Sequence, residues 1–181
     1  MTYTQKKLCL CVCLYLLGTA VTFAENRTQY GGVVHLRGAV TDGTCAVSTE
    51  SENKQVYMGQ VQSSRFEELG SWADPVAFSL VLVDCTIASE KQVGIMFNGV
   101  SDGKDPLVFR AGGGANAAQG VGIGIFSASG ELIIPNTRPQ QLTSLNGETV
   151  TLPFTARYRA TSRQVIAGDA SSNVFFTLYY P

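Results

Sequence analysis

Ser172-Asn173-Val174-Phe175-Phe176-Thr177-Leu178-Tyr179-Tyr180 brings the chain to its last residue but one, ahead of Pro181. Val174, Phe176, Leu178 and Tyr180 recur at every second position, the spacing at which a strand turns its side chains to one face. The same period appears upstream in Thr149 to Ala160, where Val150, Leu152, Phe154, Ala156 and Tyr158 share a side. Val76 to Cys85 is nearly continuous in apolar residues, with Val76, Phe78, Leu80 and Leu82 on one face, and predicts a strand buried on both sides or central in a sandwich. Val33 to Val40, Gln55 to Val61 (Val56 and Met58 facing one way) and Lys91 to Phe97 add further strands. Val121 to Phe126 and Glu131 to Ile134 flank Ser129-Gly130 and predict a hairpin. A short helical turn is expected only around Ser64 to Leu69. About seven or eight short strands punctuated by Gly, Asn, Asp and Ser make an all-β sandwich.

The other end of the chain predicts export. Lys6 and Lys7 precede a short apolar run, Leu8 to Leu17, and small residues follow, then Thr22-Phe23-Ala24. A basic start, a short hydrophobic stretch and a small residue at the cut are the parts of a secretory signal peptide, and a bilayer span needs about 20 apolar residues. Residues 1–24 are therefore expected to leave by cleavage after Ala24, with Ala20 as the alternative site, taking Cys9, Cys11 and Cys13 with them. What remains is room for one domain. It keeps 11 of the 13 basic residues against all 14 acidic ones, a balance of about −3 that argues against nucleic-acid partners. Cys45 and Cys85 remain as a pair in an oxidising compartment, so one disulfide is expected, with a contribution of about 4 kcal/mol on chain-entropy bookkeeping.

No catalytic or metal-binding constellation stands out. His35 is the only histidine and sits between Val34 and Leu36, with no Ser or Cys nucleophile paired to it. Asp102-Gly103-Lys104-Asp105 lacks the ligand spacing of a calcium loop and reads as an ordinary turn. Gly112-Gly113-Gly114 and Gly120-Val121-Gly122 precede no helix, so they are not phosphate loops; they fit a connection into a strand where backbones approach closely. Arg37, Arg157 and Arg159 fall on the solvent side by alternation. No enzyme activity, cofactor or metal is expected.

The C-terminal pattern, with Gly168 fourteenth from the end and Tyr180 penultimate, resembles the signature of the type 1 fimbrial pilins of chaperone–usher systems. Gly31-Gly32-Val33-Val34-His35-Leu36-Arg37-Gly38 is similar to the segment that opens their first strand. Cys45-Ala46-Val47 resembles their first-cysteine motif, Met58-Gly59-Gln60-Val61 the strand after it, Asp84-Cys85 the second cysteine, and Pro153-Phe154-Thr155-Ala156-Arg157-Tyr158 a late strand. The resemblance implies an immunoglobulin-like sandwich lacking its seventh strand, over residues 33–181. The gap is filled first by a strand of a periplasmic chaperone. At the outer-membrane usher the N-terminal extension of a neighbouring pilin subunit then replaces it, and the product is a surface fimbrium. It implies acceptor-groove and chaperone contacts at Gly168, Val174, Phe176, Leu178, Tyr180 and the Pro181 carboxylate. The donor strand falls in residues 25–32, with Thr28, Tyr30 and Gly32 as its alternate positions. That extension is short and polar, with Tyr30 its one large apolar-bodied residue, which points to a minor or terminating subunit. The alternative is a secreted, self-complete β-sandwich acting as an adhesin or binding protein, which needs a seventh strand of its own and a convergent polar site.

Overall fold

The computed structural model describes residues 44–86 and 91–181. The chain divides into two compact units, Met1–Val40 and Thr41–Pro181, and every described residue belongs to the second. The expected signal peptide, donor strand (Thr28, Tyr30, Gly32) and first strand Val33 to Val40, with His35 and Arg37, lie outside the described residues.

Among the described residues the fold is almost wholly β. In chain order the elements are β1 (Ala46–Val47), the one-turn helix α1 (Thr49–Glu52), a 3-10 turn at Ser63–Arg65, β2 (Val76–Val83), β3 (Gln92–Asn98), β4 (Phe109–Arg110), β5 (Val121–Phe126), β6 (Leu132–Ile133), β7 (Thr143–Ser144), β8 (Val150–Ala160) and β9 (Phe175–Tyr179). The larger sheet runs β1-β2-β8-β5-β4, with β6 also on β5; the smaller runs β7-β3-β9. Every pairing between these strands is antiparallel. The β5–β6 hairpin turns where Ser129-Gly130 predicts: Ser127 N–H donates to Glu131 O at 2.9 Å, and Gly130 takes φ +81°, which costs a glycine little.

One predicted strand is corrected. Gln55 to Val61 keeps its alternation in burial but pairs with no strand among the described residues, and Gly59 at φ +69° interrupts it. Tyr57 there is 82% exposed. β2 also differs from the expected central strand. Its inward Leu80 and Leu82 are fully buried, while Ala77 is exposed and Val81 and Val83 are half-buried. The central strand is β8, held between β2 and β5. Pro153, with no N–H to give, lies past the last pair made with β5 (Phe126↔Thr155), where only β2 runs alongside. A proline is tolerated at such a half-free position.

The inward row of β8 feeds two apolar clusters. Val150 and Leu152 join Leu80, Leu82, Val93, Ile95 and Phe97 between the sheets. An aromatic trio bridges the layers there: Phe154 stacks on Phe78 at 5.5 Å and meets Phe97 edge-on at 5.1 Å. Further along, Ala156 and Tyr158 pack with Val121 and Ile123 beneath Met58, Val61, Phe66, Ala118 and Val165, which belong to irregular segments rather than to the smaller sheet. The Tyr158 hydroxyl donates to Ala170 O at 3.4 Å, and burial, followed by the Asp169 carboxylate, raises its pKa above the ordinary phenol value.

The outer face of the larger sheet carries a second layer. Trp72 lies over Gly124, meets Phe126 edge-on at 4.9 Å, and has the Arg159 guanidinium 4.8 Å above its ring. Arg159 Nε stands 3.1 Å from Asp105 Oδ2, without the alignment of a hydrogen bond, and Arg157 Nε donates to Ala73 O at 2.8 Å. Both arginines occupy the face that alternation predicts, yet they clamp loops onto it instead of standing free in solvent.

Two outcomes follow from this packing. A Cβ at Gly124 would lie 2.5 Å from Trp72 Cη2 and Cζ3, so Gly124→Val should lower unfolding stability by about 1–3 kcal/mol in a urea titration. The raised Tyr158 pKa favours the neutral phenol in the folded state. Its contribution is therefore complete below the unfolded phenol value of about 10 and is lost as pH rises through the folded one. Urea midpoints across the alkaline range should fall less steeply for Tyr158→Phe than for the parent.

Candidate functional site

β9 pairs in register with β3 as Asn98↔Phe175, Phe97↔Phe176, Met96↔Thr177, Ile95↔Leu178 and Gly94↔Tyr179. The alternation read in the sequence thus sets Phe176 opposite buried Phe97 and Leu178 opposite buried Ile95 on the inner face. On the outer face Tyr179 lies opposite Gly94, with the Arg138 guanidinium 5.8 Å from its ring centroid. Pro139 and Leu142 cover Gly94 so closely that a Cβ there would fall 2.5 Å from Pro139 Cγ.

Three properties set β9 apart. Among the described residues β3 is its sole strand neighbour, so the opposite edge presents backbone groups without a ladder. Its inward row, Val174, Phe176, Leu178 and Tyr180, packs on the inter-sheet core but stays half-buried, whereas Val93, Ile95 and Phe97 of β3 are fully buried. Finally, its end is tied across the molecule, because the Tyr180 hydroxyl accepts the Cys45 N–H at 3.1 Å. Cys45 and Cys85 form the disulfide, which joins the approach to β1 to the end of β2.

Gly168 does not lie in that row. It packs on the loop at 116–118, where a Cβ would meet Ala118 N and Asn116 O at 2.6 Å, beside the parallel bridge Ala117↔Asp169. What the position requires is room for two backbones to touch. Pro181 follows β9 and is exposed. Four residues not assigned to the site from sequence join the half-buried margin of the same core: Val47, Phe78, Ile133 and Phe154. Phe78 and Phe154 occupy inward positions of β2 and β8, so alternation already carried the signal for them.

The chemistry offered is that of an interface. Asp102 Oδ1 accepts the N–H groups of Lys104 and Asp105, and Asp105 faces Leu107 N–H and Arg159, so these carboxylates hold their own loop. No group of three or more His, Cys, Asp or Glu lies together among the described residues. No described helix is long and apolar enough to cross a membrane.

The profile of the family described as fimbrial protein matches residues 34–181. The chain belongs to that family. It is 44% identical over 151 residues to the fimbrin-like protein FimI of Salmonella typhi, covering 83% of this chain and 85% of that one. Long polar fimbria protein A of Salmonella typhimurium is 36% identical over 167 residues, covering 92% and 93%. Among solved structures, a subunit of a chaperone–usher pilus superposes with a TM-score of 0.69 at 23% identity, over 87% of this chain and all of that one. The protein is thus a structural subunit of a fimbria, and the immunoglobulin-like architecture expected of such a pilin is the one seen here.

The pilin's Tyr180 offers a direct check. Tyr180→Phe keeps the ring in the core and removes the acceptor for Cys45 N–H, so it should cost about 1 kcal/mol by denaturant unfolding. Faster amide exchange at Cys45 should accompany the loss.

Proposed function

We propose that the edge of β9 and its half-buried row Val174, Phe176, Leu178 and Tyr180 form the acceptor groove of this pilin. A strand donated first by a periplasmic chaperone and then, at an outer-membrane usher, by the N-terminal extension of a neighbouring subunit fills it. The observation that carries the reading is the one-sided pairing of β9 among the described residues, joined to an inward row that is apolar throughout and incompletely covered. An added strand supplies partners for the free backbone edge, and its alternate side chains finish the core. Burying about five apolar side chains at ~1.5–3 kcal/mol each gives a gross gain near ~8–15 kcal/mol before ordering costs.

In this reading residues 1–24 direct export and are cleaved after Ala24. Residues 25–32 are the donor strand, with Thr28, Tyr30 and Gly32 at its alternate positions. The Pro181 carboxylate, exposed just past β9, is the point at which a chaperone holds the terminus, and Gly168 serves by keeping the preceding loop close to 116–118. The polar extension makes a weak donor, which suits a minor or terminating subunit; likeness to a fimbrin-like protein agrees with that place.

The test is thermal unfolding of the mature protein with and without excess donor-strand peptide from a rod pilin. A large rise in melting temperature is expected. A domain already stable alone and indifferent to every donor peptide would mean a self-complete sandwich and would end the proposal. A peptide spanning Glu25 to Val33, offered to the rod subunit, should stabilise it less than that subunit's own extension does; equal stabilisation would dismiss the weak-donor reading while leaving the groove intact.

A further inference from the structure

The sequence holds two Asn-Gly pairs, Asn98-Gly99 and Asn146-Gly147, and the fold treats them differently. In such a pair the glycine amide nitrogen is able to attack the asparagine side-chain carbonyl, because no Cβ blocks the approach and the backbone bends freely. Two conditions are needed: an unengaged glycine N–H, and a backbone free to leave its ladder.

Asn98-Gly99 meets neither. Asn98 is the last residue of β3, in register with Phe175, and its side-chain Nδ2 donates to Met96 O and Thr177 Oγ1 at 3.4 Å. Gly99 N–H donates to Asn136 Oδ1 at 3.0 Å, and Asn136 Nδ2 donates back to Gly99 O at 3.0 Å. Asn146-Gly147 meets both. It lies in the bend between β7 and β8, Asn146 is exposed, and neither the Gly147 N–H nor the Asn146 side chain bonds to any described residue. Gly147 is not crowded, since a hypothetical Cβ would make only an ordinary contact, with Thr149 O at 3.6 Å.

We propose that Asn146-Gly147 is a site of spontaneous covalent modification by deamidation. The Gly147 amide nitrogen forms a bond to Asn146 Cγ, the bond from Cγ to the side-chain nitrogen breaks, and ammonia departs carrying the proton that Gly147 gave up. The resulting succinimide adds one water at either carbonyl, giving aspartate or isoaspartate at position 146. No electron transfer occurs and water is the only co-reactant. Asn146 and Gly147 themselves make no such backbone bond among the described residues, while the residues flanking them are anchored: Leu145 N–H donates to Lys91 O at 3.0 Å and Glu148 O accepts Cys85 N–H at 3.0 Å. The product therefore places a new carboxylate, and in the isoaspartyl form an extra main-chain methylene, between two fixed points beside the disulfide.

The experiment follows peptide masses of the purified mature protein during incubation in mildly alkaline buffer, folded and in denaturant. In the folded protein the fragment with Asn146 should gain the mass difference between an amide and an acid while the fragment with Asn98 stays unchanged. In denaturant both should convert at similar rates. Asn146→Gln should abolish the shift in its fragment while leaving the unfolding midpoint unchanged. Conversion of Asn98 as fast as Asn146 in the folded protein would overturn the proposal. So would an intact Asn146 after the denatured chain has converted, or a persisting shift in the Asn146→Gln fragment.

Discussion

Backbone N–H and C=O groups need partners, and along Phe175 to Tyr179 the described structure supplies them from β3 alone. Much of the molecule is arranged around that one-sided ladder. The smaller sheet consists of β3 with one neighbour on each side, and β7 contributes only two residues, so β9 is the main lateral support of the strand that lids the core. Its inner row covers Ile95 and Phe97, and the Tyr180 hydroxyl fastens its end to the backbone of Cys45. An edge with these properties is a liability in an isolated domain and an asset in a subunit that assembles with copies of its family.

The two halves of the interior are closed by different means. Between the sheets, large side chains meet across the gap, with Phe78, Phe97 and Phe154 touching from three strands. Among the described residues no second sheet lies under Tyr158, and the segments carrying Met58, Phe66, Ala118 and Val165 are folded onto the larger sheet instead. Segments without a ladder come close only where side chains are small. Gly124 beneath Trp72 and Gly168 against 116–118 are two such places.

β8 and β9 were legible because each buries one face more deeply than the other. Alternation in Thr149 to Ala160 and in the final segment gives both the element and its inward residues. Shorter elements were not legible: β4 and β7 span two residues each and carry no period, and α1 covers one turn whose Ser51 is buried because its Oγ accepts Val81 N–H. Gln55 to Val61 shows the converse. Its alternation is real, but alternation reports which side meets the core and says nothing about whether a strand lies alongside. For the site, the inward row of β9 was readable residue by residue. Its tie to Cys45, a contact across 135 positions, was not, and neither was the close packing of Gly168 on the loop at 116–118.

The disulfide also governs how the folded unit yields to tension. Cys45 and Cys85 are 40 positions apart, and a fully extended chain reaches about 3.4 Å per residue, so the bond withholds roughly 140 Å of contour from any pull along the fibre. A subunit dragged open from its ends lengthens only through the chain outside that loop, and β2 stays covalently moored to β1 even after its hydrogen bonds have parted. In a filament built of many such subunits, the reach of the stretched state is set by the residues outside this covalent short-circuit and not by the full number each subunit contains.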